Sequence, residues 1–248
     1  MNNSTAVVER YMAVWNEPDV EVRRQRITEL WVEDGGTYHK LLDARGYEAI
    51  EARVTSAYDK WVRTGDFVFK SLKNVVGHHN VVKFNWEMVP AGGGEAVSVG
   101  FDFLILANDG RIHFDYMFNE ARSPSSDLNA FVDRYVAIWN EPDAAIRRQH
   151  IGKLWMEDGI YINESLEKKG HRAIETAVIE AYQEYVAKGF IFRSANNADG
   201  HHNVVRFNWE MLPASGGEVA AVGFDFLVLG DDGRIHCDYQ FNEPLPAL

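Results

Sequence analysis

The sequence of 248 residues predicts an α+β protein in which one domain is repeated in tandem. Long segments recur almost unchanged: RYMAVWNEPD (Arg10 to Asp19) returns as RYVAIWNEPD (Arg134 to Asp143), and HHNVVKFNWEM (His78 to Met88) returns as HHNVVRFNWEM (His201 to Met211). Within each copy, apolar residues first follow a helical period and later alternate as in strands. Helices followed by an antiparallel meander favour an α+β fold, with the helices packed on one face of a curved sheet.

The predicted elements of the first copy follow this order. Apolar residues recur at helical spacing over residues 5–16 and 46–64, and a further helix is predicted to begin near Pro18. A short strand is predicted over Gly36–Leu41. From Phe67 the period falls to two, and the predicted strands are Phe67–Val76, Asn80–Pro90, Glu95–Leu106 and Arg111–Glu120. The AGGG and NDG segments that separate the last three are typical of hairpin turns.

The repeat also sets the predicted domain boundaries. Equivalent residues lie 124 positions apart up to Gly65 and Gly189 and 123 apart from Phe67 and Phe190, so the first copy holds one extra residue near Asp66. The joint between the copies is polar and contains Pro and Ser, as linkers often do. We predict a first domain over residues 1–122, a linker over 123–128 and a second domain over 129–248.

The composition narrows the possible partners. The net charge of −12 disfavours nucleic acid and anionic membranes, because both require a basic surface. The single cysteine, Cys237, excludes an intramolecular disulfide, and neither a secretory signal nor an apolar run of membrane-spanning length is readable. We therefore expect a soluble, cytoplasmic protein.

Neither a metal nor a cofactor is expected. The paired histidines His78-His79 and His201-His202 would point to opposite faces of a strand, which is a poor arrangement for chelating one ion. The AGGG segment lies in a predicted hairpin rather than before a helix, so it is not a phosphate-binding loop.

The order of elements and several short motifs resemble a known superfamily. LWVEDG before a strand, Gly46 at the start of the third helix, FNWEM, GFD and DGRI are similar to segments of the SnoaL-like and ketosteroid-isomerase-like branches of the nuclear transport factor 2-like superfamily. The resemblance covers nearly all of each copy. It implies a cone-shaped, cystatin-like roll, with about three helices packed on a strongly curved and mostly antiparallel sheet. It also implies that the two copies pack sheet against sheet as an intramolecular pseudo-dimer.

The resemblance to ketosteroid isomerases implies an oxyanion hole in each copy. The tyrosine of their first helix follows an arginine and matches Tyr11 and Tyr135, and their protonated aspartic acid matches Asp102 and Asp225. In such enzymes the tyrosine and a carboxylic acid kept neutral by an apolar site stabilise the oxyanion.

The general base of these enzymes falls on His39 in the first copy and on Asn163 in the second, which departs from the family pattern. Histidine can act as a base near neutral pH, whereas asparagine cannot. We therefore expect proton transfer next to a carbonyl, or a related elimination or ring opening, with the first copy as the better candidate. The superfamily also holds non-catalytic domains, so a binding protein for a hydrophobic small molecule and a structural or interaction module stay open.

The last strand carries a second acidic residue in each copy, Asp115 and Asp238. If Asp102 faces the inside of the cone, the simplest antiparallel register sets Asp115 opposite it, on a face shared with His113. Two carboxylates so close would raise the pKa of one of them, so both residues are candidates for acid–base catalysis.

The amphipathic pattern of the neighbouring strand suggests the opposite orientation. Its apolar residues would face the helices, which would leave the polar face outside, with Asp102 paired to Lys83 and Asp225 to Arg206. Tyr11 would then be an ordinary core aromatic. A bulge near the AGGG turn would reconcile the two interpretations.

Aromatic residues are abundant, which favours a flat or apolar ligand such as a polyketide, a terpenoid or an aromatic compound. The predicted substrate-binding residues are Trp15, Tyr38, Trp61, Phe84, Trp86 and Met117 in the first copy and Trp139, Phe207, Trp209 and Gln240 in the second.

Overall fold

A computed structural model describes residues 4–120 and 125–245, which form two compact units, Met1–Arg122 and Ser123–Leu248. Residues 121–124, which include part of the predicted linker, lie outside the described residues. A helix begins at Ser126, so residues 126–128 of the predicted linker are helical. The Ser125 side chain caps this helix by accepting a hydrogen bond from the Leu128 amide.

The first unit contains three helices and seven strands. Its helices are α1 (Ser4–Trp15), α2 (Val20–Leu30) and α3 (Tyr47–Ala57), and α3 continues into a π-helical turn at Tyr58–Arg63. Its strands are β1 (Trp31–His39), β2 (Leu42–Arg45), β3 (Phe67–Ser71), β4 (Val76–His78), β5 (Val81–Pro90), β6 (Ser98–Leu106) and β7 (Ile112–Asn119).

The second unit repeats this order. Its helices are α4 (Ser126–Asn140), α5 (Ala144–Leu154) and α6 (His171–Glu184), and α6 ends in a 3₁₀ turn at Val186–Lys188. Its strands are β8 (Trp155–Ile162), β9 (Glu167–Lys169), β10 (Phe190–Ser194), β11 (Asp199–His201), β12 (Val204–Pro213), β13 (Ala221–Leu229) and β14 (Ile235–Glu243).

Local sequence explains where several elements begin and end. Helix α2 starts at Val20 rather than at Pro18, because the Asp19 carboxylate accepts hydrogen bonds from the amides of Glu21 and Val22. The strand predicted over Phe67–Val76 is divided into β3 and β4. Between them Lys73 adopts a left-handed backbone conformation with φ 60°, which interrupts strand geometry.

Each unit has one curved sheet with the helices on one face. The strand order is β2-β1-β7-β6-β5-β3 in the first unit and β10-β12-β13-β14-β8-β9 in the second. All pairings are antiparallel except β1 with β7 and β8 with β14, which are parallel. The predicted strand at Gly36–Leu41 therefore begins earlier, at Trp31, and inserts beside the last strand of the unit.

The core lies between the helices and the inner face of the sheet. In the first unit it joins Val8 of α1, Ile27 of α2 and Ile50 of α3 to Val82 and Leu104 of the sheet, all with exposures of 1% or less. The predicted α+β class, with helices packed on a curved and mostly antiparallel sheet, is confirmed. Within the described residues, none of the helices is both long and apolar enough to span a bilayer.

Candidate active site

The strand register places Asp102 on the face of the sheet that the helices cover. Asp102 pairs with Phe84, and the β5–β6 register runs without a break from Val81 to Met88. Since directly opposed residues share a face, Asp102 lies with the apolar side chains Phe84, Trp86 and Met88. No bulge near the AGGG turn is needed, and the inward orientation implied by the family resemblance is the observed one.

The proposed cross-strand ion pairs do not form, for the same reason. Lys83 pairs with Phe103 and Arg206 with Phe226, so both basic residues lie on the opposite face of the sheet from Asp102 and Asp225. The interpretation of these aspartates as surface residues paired across a hairpin is wrong.

The predicted register between Asp102 and Asp115 is also wrong, although the two residues do share a face. Asp102 pairs with Met117, and Asp115 pairs with Leu104, so the carboxyls are diagonal neighbours rather than directly opposed. His113 does not join them, because the register shifts between Ile105 and Leu106 and breaks the alternation along β7.

Tyr11, Thr37 and Asp115 form a buried hydrogen-bonded cluster behind the cavity of the first unit. The Tyr11 hydroxyl donates to Asp115 Oδ2 at 2.8 Å, and the Thr37 hydroxyl donates to the same oxygen at 2.9 Å. All three side chains are at most 1% exposed. Because one carboxyl oxygen accepts two hydrogen bonds, this cluster fixes the orientation of Asp115.

The Trp86 indole holds Asp102. Trp86 Nε1 donates to Asp102 Oδ1 at 3.0 Å, while Asp102 Oδ2 has no hydrogen-bond partner among the described residues. The indole fits because residue 100 lacks a side chain: a Cβ there would lie 2.2 Å from Cζ2 of Trp86. Gly100 therefore permits the contact that orients Asp102.

Burial raises the pKa of both carboxyls, so they stay protonated at a higher pH than exposed carboxyls do. Burial and the charge of Asp115 raise the pKa of Asp102 well above its ordinary value, and the nearby Tyr11 hydroxyl and the hydrogen bond from Trp86 only partly oppose this. Burial likewise raises the pKa of Asp115 to about 7, against hydrogen bonds from Tyr11 and Thr37 and the positive charge of Arg53. Burial therefore favours the protonated form of Asp102, which can donate a hydrogen bond.

The second unit repeats the cluster with one change. The Tyr135 hydroxyl donates to Asp238 Oδ2 at 2.5 Å, and Trp209 Nε1 donates to Asp225 Oδ1 at 3.2 Å. Tyr161 occupies the position of Thr37, and its hydroxyl donates to Gln240 at 3.3 Å instead of to the carboxyl. Asp238 consequently has one donor where Asp115 has two.

A cavity of about 680 Å³ opens beside the first cluster. Tyr11 and Asp102 lie at its inner wall, and His39, Arg53 and Lys60 contribute its other ionisable side chains. The predicted residues that line it are Trp15, Trp61, Trp86 and Met117. The wall is thus mostly apolar, with a few polar groups, as is typical of small-molecule sites.

A smaller cavity, of about 370 Å³, occupies the second unit. Of the predicted residues, it is lined by Tyr135, Asp225, Trp139, Trp209 and Gln240. Asn163 lies where the first cavity has His39, and Glu180 and Glu184 supply its acidic groups.

Several predicted residues lie elsewhere. Tyr38 is on the outer face of the sheet, where its ring stacks on Tyr116 with centroids 5.2 Å apart, because Thr37 takes the inward position. Phe84 and Phe207 are buried beneath the tyrosines of the clusters, with ring centroids 5.5 and 5.4 Å from Tyr11 and Tyr135. They support the cluster tyrosines and do not line the cavities.

Three residues of the site were missed in the sequence: Arg53, Thr37 and Tyr161. The internal repeat carried the signal, because Arg53 on an otherwise apolar helical face is replaced by Ala177, and Thr37 is replaced by Tyr161. Each change falls on a residue that lines a cavity or binds an acid.

In residues 4–120 and 125–245, no group of three or more His, Cys, Asp or Glu side chains is arranged to hold a metal ion. No protein-family model matches the sequence, and a search of curated proteins found no match.

Solved structures match about half of the chain. A candidate isomerase of the SnoaL-like family from Agrobacterium tumefaciens is 29% identical with a TM-score of 0.45, and the match covers 48% of this chain and 100% of that one. A candidate polyketide cyclase from Sinorhizobium meliloti is 14% identical with a TM-score of 0.36, covering 45% and 93% of the two chains. A nuclear transport factor 2-like protein of unknown function from Exiguobacterium is 15% identical with a TM-score of 0.38, covering 47% and 99%.

Each match spans about half of this chain, which is the length of one unit. Other matching structures are described as having a cystatin-like fold.

Proposed function

We propose that the first unit is an enzyme that binds an apolar carbonyl compound and moves a proton next to the carbonyl, as in an isomerisation or a related elimination. One observation carries this proposal. Asp102 is a buried acid at the wall of a large apolar cavity, its pKa is raised well above the ordinary value by burial, and its Oδ2 has no partner in the described residues. A neutral carboxylic acid in such a place is a hydrogen-bond donor for a developing oxyanion.

The proposed reaction needs one donor and one base. The Asp102 carboxylic acid donates a hydrogen bond to the carbonyl oxygen of the substrate, where negative charge develops as a proton leaves the adjacent carbon. His39 lines the same cavity and accepts that proton on its imidazole. The resulting imidazolium returns the proton to another carbon, so the isomerisation is neutral overall and consumes no co-reactant.

Tyr11 has a positioning role in this scheme. Its hydroxyl proton is directed to Asp115 rather than into the cavity, so Asp102 is the direct donor. Asp115 in turn raises the pKa of Asp102 through its charge, which keeps the donor protonated. Tyr11 and Asp115 therefore act on the substrate through Asp102.

The second unit is better suited to binding without turnover. Asn163 replaces the histidine base, and Tyr161, which hydrogen-bonds to Gln240, stands where the first unit has the smaller Thr37. Its Asp225 has a pKa of about 7, raised by burial. We propose a ligand-binding role for this cavity, which would hold a smaller hydrophobic molecule.

Exchange of carbon-bound hydrogen tests the catalytic proposal without knowledge of the natural substrate. The full chain is incubated in D₂O with a panel of cyclic ketones and enones, and deuterium at the carbon next to the carbonyl is followed by NMR. We expect Asp102→Asn to lower the enzyme-dependent rate by about 10²–10³-fold, because an oxyanion donor is lost or misplaced. The matched variant Asp225→Asn should retain the wild-type rate.

Two results would contradict the proposal. Equal losses in the two variants would show that the first cavity has no special role. Ketones that bind to the first cavity without any accelerated exchange would show that it is a binding site alone.

A further inference from the structure

The charges that line the two cavities differ in sign. Arg53 and Lys60 line the first cavity, and their equivalents in the second are Ala177 and Glu184, next to Glu180. Among the described residues, no basic side chain lines the second cavity. The positive charge of Arg53 is absent at Ala177, and that of Lys60 is replaced by the opposite charge at Glu184.

Arg53 is the less exposed of the two basic residues that line the first cavity, and its guanidinium makes few hydrogen bonds within the protein. Its Nη2 lies 3.5 Å from Met117 Sδ, a weak acceptor, and its carbon Cζ lies 5.7 Å from the centre of the Trp15 ring. Its Nε is buried and has no hydrogen-bond partner among the described residues. A buried, unsatisfied donor costs free energy unless a ligand completes it, so a bound acceptor is the natural partner.

The neighbouring carboxyls do not neutralise Arg53. The charge of Arg53 lowers the pKa of both acids, but burial is the larger effect and raises the pKa of each, so both retain protons at a higher pH than exposed carboxyls do. The positive charge is therefore available inside a mostly apolar wall. Arginine in such a place binds carboxylates through two parallel hydrogen bonds.

We propose that the first cavity binds a carboxylate attached to an aromatic or alicyclic body, with Arg53 as the anion-binding residue. The apolar body packs against Trp15 and Trp86, and Lys60 at the mouth attracts the anion. The assignment rests on the proposed function only in making this anion a substrate, namely a keto acid. The binding itself requires no turnover.

Titration of the full chain with matched probes tests the assignment. Benzoate, 2-naphthoate and cholate are each compared with the corresponding neutral carboxamide by isothermal titration calorimetry. We expect at least one carboxylate to bind more tightly than its amide, and Arg53→Gln to weaken that carboxylate by about 10–100-fold, the effect of losing a charge-assisted hydrogen-bonded pair. Amide binding should change less than about twofold, and Arg53→Lys should restore part of the carboxylate affinity.

A control separates local from general charge effects. Arg148→Gln removes the same charge from an exposed arginine that pairs with Glu175 in the second unit, and it should leave carboxylate binding unchanged. The proposal is overturned if Arg53→Gln and Arg148→Gln have equal effects, or if no carboxylate in the panel binds more tightly than its amide. Carboxylate binding that depends on Arg53 without any ketone exchange would keep this assignment and remove the proposed catalysis.

Discussion

The two carboxyl pairs differ in the hydrogen bonds that hold them. In the first unit burial raises the pKa of Asp115, behind the cavity, to about 7, and burial and the charge of Asp115 raise the pKa of Asp102, at the cavity wall, well above its ordinary value. In the second unit burial raises the pKa of Asp225, at the wall, to about 7, and burial and the charge of Asp225 raise the pKa of Asp238 well above its ordinary value. Both pairs therefore retain protons at a higher pH than exposed carboxyls do.

One hydroxyl group accounts for the difference in hydrogen bonding between the two pairs. Thr37 donates a second hydrogen bond to Asp115, which stabilises the ionised form and lowers its pKa relative to that of Asp102. Tyr161, at the same position in the second unit, donates to Gln240 and leaves Asp238 with the Tyr135 hydroxyl as its donor. A single residue outside the acid pair therefore changes the number of hydrogen bonds that the inner carboxyl accepts.

The turns that follow α3 and α6 differ as well. The extra residue of the first copy lies between the end of α3 and β3, where the chain forms a π-helical turn, whereas the second unit closes with a 3₁₀ turn. A π-helical turn takes up more residues than a 3₁₀ turn, so it accommodates the insertion. The larger cavity, 680 Å³ against 370 Å³, thus accompanies a wider turn and the smaller Thr37 side chain.

The largest expected difference between the units concerns the base. His39→Ala should lower the rate of exchange next to the carbonyl by about 10²–10⁴-fold, because the group that accepts the proton is lost. Asn163→Ala should leave the rate unchanged. The full chain with each variant is assayed by deuterium incorporation. Wild-type turnover by His39→Ala would exclude it as the base.

Acid titration should affect stability in a definite direction. Burial raises the folded-state pKa of Asp115 and of Asp225 to about 7, above the unfolded value, so the folded chain binds more protons and stability is lost as pH rises from about 4 to 7, by at most about 1.4 kcal/mol per pH unit for each of the two. Asp115→Asn and Asp225→Asn should each flatten this loss by a similar amount, since both acids have a pKa of about 7.

Thermal unfolding of the wild type and both variants between pH 4 and 8 measures this effect. A wild-type stability that rises throughout this range, with the same slope in the variants, would mean that the acids are not raised.

The glycine–tryptophan contact should matter equally in both units. A Cβ at Gly100 would lie 2.2 Å from Trp86 Cζ2, and one at Gly223 would lie 2.1 Å from Trp209. Gly100→Ala and Gly223→Ala should each destabilise the chain by about 1–3 kcal/mol through overpacking. Gly92→Ala is the control, because a Cβ there meets nothing within 4 Å. Chemical denaturation measures all three, and a neutral Gly100→Ala would show that the indole can move.

The smallest expected effect is on a single acid. Thr37→Val removes one donor from Asp115 and should raise its pKa by about 1, the value of one hydrogen bond to a charged group. Tyr161→Phe in the second unit should leave the pKa of Asp238 unchanged, because Tyr161 does not donate to it. Carboxyl ¹³C NMR of the labelled full chain distinguishes the two. Equal pKa shifts of Asp115 and Asp238 in the two variants would show that the Thr37 hydroxyl has no special effect on Asp115.

The sequence predicted the fold well because each unit alternates clearly between helical and strand periods. The family resemblance also identified Tyr11 and Asp102 as a pair, and alternation along the strands added Asp115 on the same face; the structure places the three together. The register between β6 and β7 could not be predicted from the sequence. The prediction that Asp102 pairs with Asp115 did not include the register shift near Ile105, because this shift depends on how the two strands pair and not on either strand alone.

The sequence analysis also assigned the wrong face of the sheet to Tyr38 of β1. An aromatic residue was assigned to the cavity and a hydroxyl was ignored, yet Thr37 faces the acid and Tyr38 faces away. Alternation along a strand fixes which residues share a face, but the face that is covered follows from the parallel pairing of β1 with β7. That pairing joins distant parts of the unit and leaves no local signal.

The tandem repeat has a consequence for how the chain can change over evolution. When identical chains associate, every mutation appears at each site, so a reaction cannot be abandoned at one and retained at another. Here Trp86 and Trp209 keep the same glycine neighbours, while His39 and Asn163 have diverged. Selection can therefore maintain the shared scaffold in both halves and act on each cavity separately, so that one chain can acquire two ligand specificities.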